Sequence, residues 1–317
     1  MLSSTSNIFF FILNKMPEIT KTRDRSLDVV CGIMILKVMY VHCLVSPLKT
    51  SFIGLPMLYP LLCSIAWFFF KGGMFYKDEP VGKTFKKGFK RLIVPYIVFS
   101  VLALIISILV HCCVEGTEGV PNMLTESMVH LKREGAILYN SALWFLPSMF
   151  AARLMFSVCR KLKIHPVIVA VLSLACTFCL INYFPHAGLY FGNASLGLCF
   201  FSLGFVFKNV QYDDKVFYPS LVFYLAILLY CYIDGGVQGV FSVNLHKPFF
   251  LVIFYYLVGC MALNNLFRRL DFLKFRRVLF RSLVISEFCH MAFVTMDSLR
   301  NTDCIFSHND AASGKDF

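Results

Sequence analysis

Long apolar runs separated by short polar segments constrain this chain more than any other feature. About eight runs are recognisable, covering residues 27–46, 52–74, 92–113, 138–158, 165–183, 188–207, 216–233 and 248–266. Each is close to the roughly 20 apolar residues that an α-helix needs to cross a bilayer. Lipid offers no hydrogen-bond partners, so a spanning segment must satisfy its own backbone groups, and runs of this length do so as helices. The predicted fold class is therefore all-α, a polytopic transmembrane helical bundle.

Composition excludes the main soluble alternatives. The chain is 58% hydrophobic and only 15% charged, with a mean hydropathy of +0.71, which lies far outside the range of soluble domains. Its net charge of +12 comes from lysines and arginines in short segments between the apolar runs. That distribution indicates membrane topology and predicts no nucleic-acid partner. The thirteen cysteines lie mostly inside the runs, so we predict neither a disulfide framework nor a bound metal.

The polar segments alternate in charge along the chain. Basic segments occur at 77–91, 159–163 and 268–277, whereas 115–134, 185–188 and 234–246 are acidic or nearly neutral. Lysine and arginine are retained on the cytoplasmic side, so we predict a multi-pass protein of the cell membrane with residues 1–26 as a cytoplasmic segment. Met16 is a second candidate start. The loop 114–137 is expected outside.

The first run carries a polar stripe. Asp28, Cys31 and His42 fall on one face of a helix, whereas Lys37 points away from it. A polar group at membrane depth costs free energy, about 2.5–3.5 kcal/mol for a charge, so such a residue usually has a function or a bonding partner. Two interpretations remain open. The polar residues contact the two ends of one elongated substrate, or His42 is hydrogen-bonded at the outer end of the span while Asp28 caps the helix.

The same run carries a family resemblance. LDVVCGIMILKVMYVH resembles the opening span of the acyltransferase 3 family, whose signature is arginine or lysine, ten residues, then histidine; here that spacing joins Cys31 to His42. Further segments resemble family landmarks in the same order, namely FFFKGGMF (68–75), KKGFKRLIVPY (86–96), ALWFLPSMF (142–150) and FFSLGFVFK (200–208). The resemblance covers roughly 24–275, and it implies that residues 27–274 form a transmembrane acyltransferase-like domain.

The resemblance implies an integral membrane O-acyltransferase, similar to fucose O-acetylases. Such an enzyme moves an acyl group, commonly acetyl, from acyl-CoA to a hydroxyl of a cell-surface or lipid-linked glycan, and holds no bound cofactor. His42 is implied as the catalytic residue, because imidazole accepts a hydroxyl proton near neutral pH, with Asp28 and Cys31 as supporting residues. We call the set Lys86, Lys87, Lys90 and Arg91 the basic cluster. It would bind the CoA phosphates or, alternatively, act only as a topology anchor.

Departures from the family pattern keep a second interpretation open. Cys31 stands where the family carries arginine or lysine, and Gly72 stands where serine is frequent. A cysteine supplies no positive charge, so the chain could be a catalytically inactive relative or a transport-like protein with a polar path for a lipid-linked sugar. If it is an enzyme, a basic residue restored at position 31 is expected to increase activity.

The C-terminal segment is predicted to be foreign to the domain. FRRVLFRS (275–282) is also the peptide encoded by one reading frame of a common short-read sequencing adapter. The apolar run that follows is broken by Glu287, and the polar ending from Asp297 onward cannot cross a membrane, whereas the resemblance implies ten spans. An ordinary basic loop on the inner side would fit the topology equally well, but we expect residues 275–317 to be a sequencing artefact in place of the last two spans.

Overall fold

The fold is an all-helical bundle, as the apolar runs predict. The computed structural model describes residues 25–43, 56–114, 120–137, 142–183, 189–234 and 249–270, and this part of the chain contains no β-strand. The α-helices are α1 (Arg25–Cys43), α2 (Ser64–Met74), α3 (Val81–Gly88), α4 (Val94–Val114), α5 (Val120–Glu134), α6 (Phe145–Lys161), α7 (Pro166–Tyr183), α8 (Leu189–Phe207), α9 (Asp214–Asp234) and α10 (Phe249–Leu270). A π-helical turn, Phe89–Ile93, joins α3 to α4, so that one long helix runs from 81 to 114.

Six of the described helices are long and apolar enough to cross a membrane. They correspond to the six predicted runs from 92–113 onward, and their ends agree with the predicted ends to within a few residues, except where the long helix begins at Val81. Helix α1, at 19 residues, has a suitable length but carries Arg25, Asp28 and Lys37. The protein is thus a multi-pass membrane protein.

The second predicted run, 52–74, is not one continuous helix. A 3₁₀-helix (Pro56–Leu61) is followed by α2, which begins at Ser64 and has only 11 residues. Pro60 lies inside the 3₁₀-helix, and proline donates no backbone hydrogen bond and crowds the preceding turn of an α-helix. Tyr255 and Tyr224 hold this segment by donating hydrogen bonds to the carbonyl oxygens of Tyr59 and Pro60.

The segment 115–134, predicted only as an outer loop, contains helix α5. It packs against α4 and α8, and Met123 is buried. After its last turn Gly135 adopts φ +77, a conformation that favours glycine, and its carbonyl oxygen accepts a hydrogen bond from the Tyr96 hydroxyl at 2.9 Å. Loop charge predicts the side of a membrane but not the local conformation, which explains why this helix was missed.

The core lies where α2, α6 and α8 meet. Its largest fully buried side chains include Trp67, Phe69, Phe70, Phe156 and Phe200. By contrast α4, α7 and α9 expose valines, leucines and isoleucines along their outer faces, as expected of a surface in contact with lipid.

Glycines set the spacing of α2 and α8. A Cβ atom added to Gly73 would overlap the carbonyl oxygen of Phe201, and one added to Gly204 would overlap that of Phe70. In membrane bundles, small residues at a crossing let the helix backbones approach closely. The motifs FFFKGGMF and FFSLGFVFK therefore meet each other in the fold.

The predicted orientation can be tested by thiol labelling. Gly82 is exposed, and a Cβ added there contacts nothing within 4 Å, so it suits a reporter cysteine. In a chain whose native cysteines are replaced, Gly82→Cys is expected to react with an impermeant maleimide only after permeabilisation. Glu118→Cys should react in intact cells. The reverse pattern would show that the loop charges misassign the two sides.

Candidate functional site

Helix α1 carries the predicted polar stripe without interruption. It is continuous over Arg25–Cys43, so Asp28, Cys31 and His42 lie on one helix, and 11 residues of rise separate positions 31 and 42 by roughly 16 Å. His42 belongs to the last turn, and its side chain lies outside the described residues. The backbone of α1 is therefore continuous across the three positions, and the roles of these residues stay a prediction.

Asp28 and Cys31, near the start of α1, are half-buried. Asp28 lies in the first turn, where the helix dipole favours a carboxylate, and this is compatible with both readings of that residue. Cys31 packs against the hydrophobic core. Lys37 donates a hydrogen bond to Ser64 Oγ at 3.0 Å, so it joins α1 to α2 instead of extending the stripe.

A lysine with no predicted role lies beside the start of α1. Lys71 on α2 donates a hydrogen bond from Nζ to the carbonyl oxygen of Leu27 at 3.4 Å. The same Nζ lies 4.9 Å from the centre of the Trp67 ring, and Trp67 Nε1 donates to Asn264 Oδ1 at 2.6 Å. The sequence signal for Lys71 was its position within the apolar run FFFKGG, because a cation at membrane depth costs free energy and usually has a function or a partner.

The basic cluster lies along α6. Ser157 Oγ donates to Thr84 Oγ1 at 3.4 Å, and a Cβ added to Gly88 would meet the Phe150 ring at 2.9 Å. Three members of the cluster, Lys86, Lys90 and Arg91, are exposed. The fourth member, Lys87, forms an ion pair with Glu79, with Nζ 2.6 Å and 2.7 Å from the two carboxylate oxygens.

A second cation with no predicted role, Arg153, lies on the side of α6 that faces α3. It lies three residues after Phe150 and four before Ser157, both of which contact α3, so all three share a face. Its Nε is buried and has no hydrogen-bond partner among the described residues. The sequence signal for Arg153 was a charged residue in the middle of an apolar run, where a charge costs free energy.

Together these residues form a strongly electropositive surface. The hydrogen bond from Lys87, with the charges of Lys87, Lys83 and Arg153, lowers the pKa of the Glu79 carboxyl. Glu79 is thus ionised and offsets part of the positive charge. The cations still outnumber it, and a surface of one sign attracts an oppositely charged ligand. Within the described ranges no group of histidine, cysteine, aspartate and glutamate is arranged to hold a metal ion.

Comparison with known proteins identifies the family. The acyltransferase 3 model, described as an acyltransferase domain, matches residues 24–295. That range includes every described helix and extends to residue 295, into the predicted C-terminal segment 275–317, which lies outside the described residues. No curated protein and no solved structure matches the chain. Since the match covers far more than half of the sequence, the chain belongs to the acyltransferase 3 family and is, in general terms, a membrane-bound acyltransferase.

Proposed function

We propose that this protein transfers an acyl group, and specifically acetyl, from acyl-CoA to a hydroxyl of a cell-surface or lipid-linked glycan. The observation that carries the proposal is the unbroken helix α1 in a chain of this family. Its polar face leads from the region of Lys71 to His42, over about 16 Å between positions 31 and 42. One helix can therefore contact both the acyl donor and the hydroxyl acceptor.

The donor is assigned to the electropositive side of the protein. CoA carries several phosphate groups, and hydrogen bonds between cationic side chains and phosphate are among the strongest in proteins. Lys86, Lys90 and Arg91 are exposed, and Arg91 can bind a phosphate bidentately. Arg153, with its buried Nε, adds a cation on the facing helix. This arrangement favours a multiply charged donor.

The chemistry requires one proton carrier. The acceptor hydroxyl oxygen attacks the thioester carbonyl carbon, a C–O bond forms, the C–S bond breaks, and CoA leaves as the thiol. His42 would accept the hydroxyl proton and return it to the departing sulfur, a role that imidazole fills near neutral pH. Asp28 and Cys31 would act as supporting residues at the end of α1 opposite His42. The glycan acceptor follows from the family resemblance.

The direct experiment uses the purified protein in liposomes with labelled acetyl-CoA and a lipid-linked glycan. Label in the glycan fraction supports the proposed function. Binding of acetyl-CoA without transfer to any hydroxyl acceptor would favour the inactive relative instead. Movement of lipid-linked sugar across the bilayer in the absence of acetyl-CoA would favour the transport-like protein, since no acyl group is then involved.

The basic cluster can be separated from a topology anchor by kinetics. In Lys86→Gln/Lys90→Gln, two exposed charges are lost, and the KM for acetyl-CoA is expected to rise about 10-fold, equivalent to about 1.4 kcal/mol. The kcat should change little, because these residues bind the part of the donor that does not react. Initial rates over a range of acetyl-CoA concentrations measure both constants.

Lys161→Gln is the matched control, because Lys161 is also exposed and basic but lies at the end of α6. Its KM should stay within about 2-fold of the parent value, since a peripheral charge acts weakly through solvent. Labelling at Gly82→Cys in the double variant checks that the orientation is unchanged. Equal KM values in the parent protein, the double variant and Lys161→Gln would show that the basic cluster acts only as a topology anchor.

A further inference from the structure

Lys71 reaches from one helix to the backbone of another, near the residue that departs most from the family signature. Its Nζ lies 3.4 Å from the carbonyl oxygen of Leu27. In an α-helix that carbonyl accepts the N–H of the residue four positions later, which is Cys31. The ammonium group of Lys71 is therefore within about 6.5 Å of the Cys31 backbone nitrogen, given a helical N···O distance of about 2.9–3.0 Å.

The surroundings of Lys71 hold it in this position. Trp67 is fully buried, and its indole is fixed by the hydrogen bond to Asn264, which is also fully buried. Lys71 lies over the Trp67 ring at 4.9 Å, a distance at which a cation is attracted to an aromatic face. A lysine held by a buried aromatic ring and a helix carbonyl is well ordered for binding.

Helix α1 has a cysteine at the position where the family signature has arginine or lysine. A thiol carries no positive charge, and Cys31 packs against the core. Lys37 points in another direction and is hydrogen-bonded to Ser64. Among the described residues, Lys71 is the lysine whose ammonium group contacts the α1 backbone beside Cys31.

We propose that Lys71 supplies, from α2, the positive charge that α1 lacks at Cys31, and that it binds an anionic phosphate group of the acyl donor. This inference rests on the proposed function. Lys71 is then a donor-binding residue, and the cysteine at position 31 is compatible with activity because a neighbouring helix provides the charge. The family signature is completed by the fold and not by the local sequence.

The test is a double-mutant cycle read by binding of CoA to the purified protein, measured by calorimetry. Lys71→Gln is expected to raise the Kd for CoA about 10-fold, whereas Lys71→Arg, which keeps the charge, should stay within about 3-fold. Adding Cys31→Arg to Lys71→Gln should restore most of the affinity. The same Cys31→Arg change in the parent chain should improve affinity by less than about 3-fold, because residues that share one role are not additive.

Lys37→Gln is the control, since it removes a half-buried lysine from another face of α1 and should leave the Kd unchanged. Unchanged CoA affinity in a folded Lys71→Gln protein, or a loss that Cys31→Arg does not restore, would overturn the inference. If Lys71→Gln does not fold, Cys31→Arg in the parent chain decides: a gain of 10-fold or more would mean that the site lacked a cation. Failure of the parent protein to bind CoA would instead refute the proposed donor itself.

Discussion

Replacing His42 with alanine is expected to reduce acyl transfer by about 10²–10⁴-fold, the range typical of the loss of a general base. The reason is that the acceptor hydroxyl attacks slowly unless its proton is removed as the new bond forms. CoA binding should persist, because position 42 lies about 16 Å along α1 from position 31. Transfer of labelled acetyl to glycan, with CoA affinity measured separately, separates these two effects.

His165→Ala provides the matched control for this variant. His165 is exposed in the connection between α6 and α7, where its Nδ1 accepts a hydrogen bond from the Val167 amide at 3.3 Å. Its loss should leave transfer unchanged. Full activity in His42→Ala, at equal protein level, would end the proposed mechanism whatever the behaviour of Lys71.

The second large effect is expected at the crossing of α2 and α8. Gly73→Ala places a methyl group where the carbonyl oxygen of Phe201 lies, and Gly204→Ala does the same against Phe70. A backbone oxygen cannot move aside by changing rotamer, so the helices must separate and the core packing around them is weakened. Overpacking typically costs 1–3 kcal/mol, and we expect each variant to reach about 3 kcal/mol or more. Thermal unfolding in detergent and the monodisperse fraction on size exclusion measure this.

Gly82→Ala is the control for the glycine prediction, because a Cβ there contacts nothing within 4 Å. It should be neutral or slightly stabilising, since alanine is favoured over glycine in a helix. The combination of Gly73→Ala with Gly204→Ala should cost less than the two separate losses together, because one separation of the helices relieves both overlaps. Wild-type thermal stability in either single variant would show that this crossing is looser than the structure indicates.

Much of the fold could be predicted because the bilayer restricts the choice of structure. Helices α7, α8, α9 and α10 begin and end close to the boundaries of their apolar runs. The break before α2 and the presence of α5 escaped prediction for the same reason: both depend on local backbone geometry and neighbouring contacts. Hydropathy over a window of residues does not report either one.

For the candidate site, the amino-acid sequence by itself determined the residues that share one helix. The spacing of Asp28, Cys31 and His42 is a matter of helical periodicity, and the unbroken α1 preserves it. The order of the family segments was likewise readable along the chain, and the match over residues 24–295 confirms the family.

Only the tertiary structure decided which charges meet. Lys71 lies near Cys31 because α2 packs against α1, and its Nζ donates a hydrogen bond to the carbonyl oxygen of Leu27, 44 residues earlier in the chain. Arg153 faces the helix of the basic cluster because Phe150 and Ser157 dock on α3. Electrostatic interactions depend on distance in space and on burial, and neither quantity can be read from separation along the sequence.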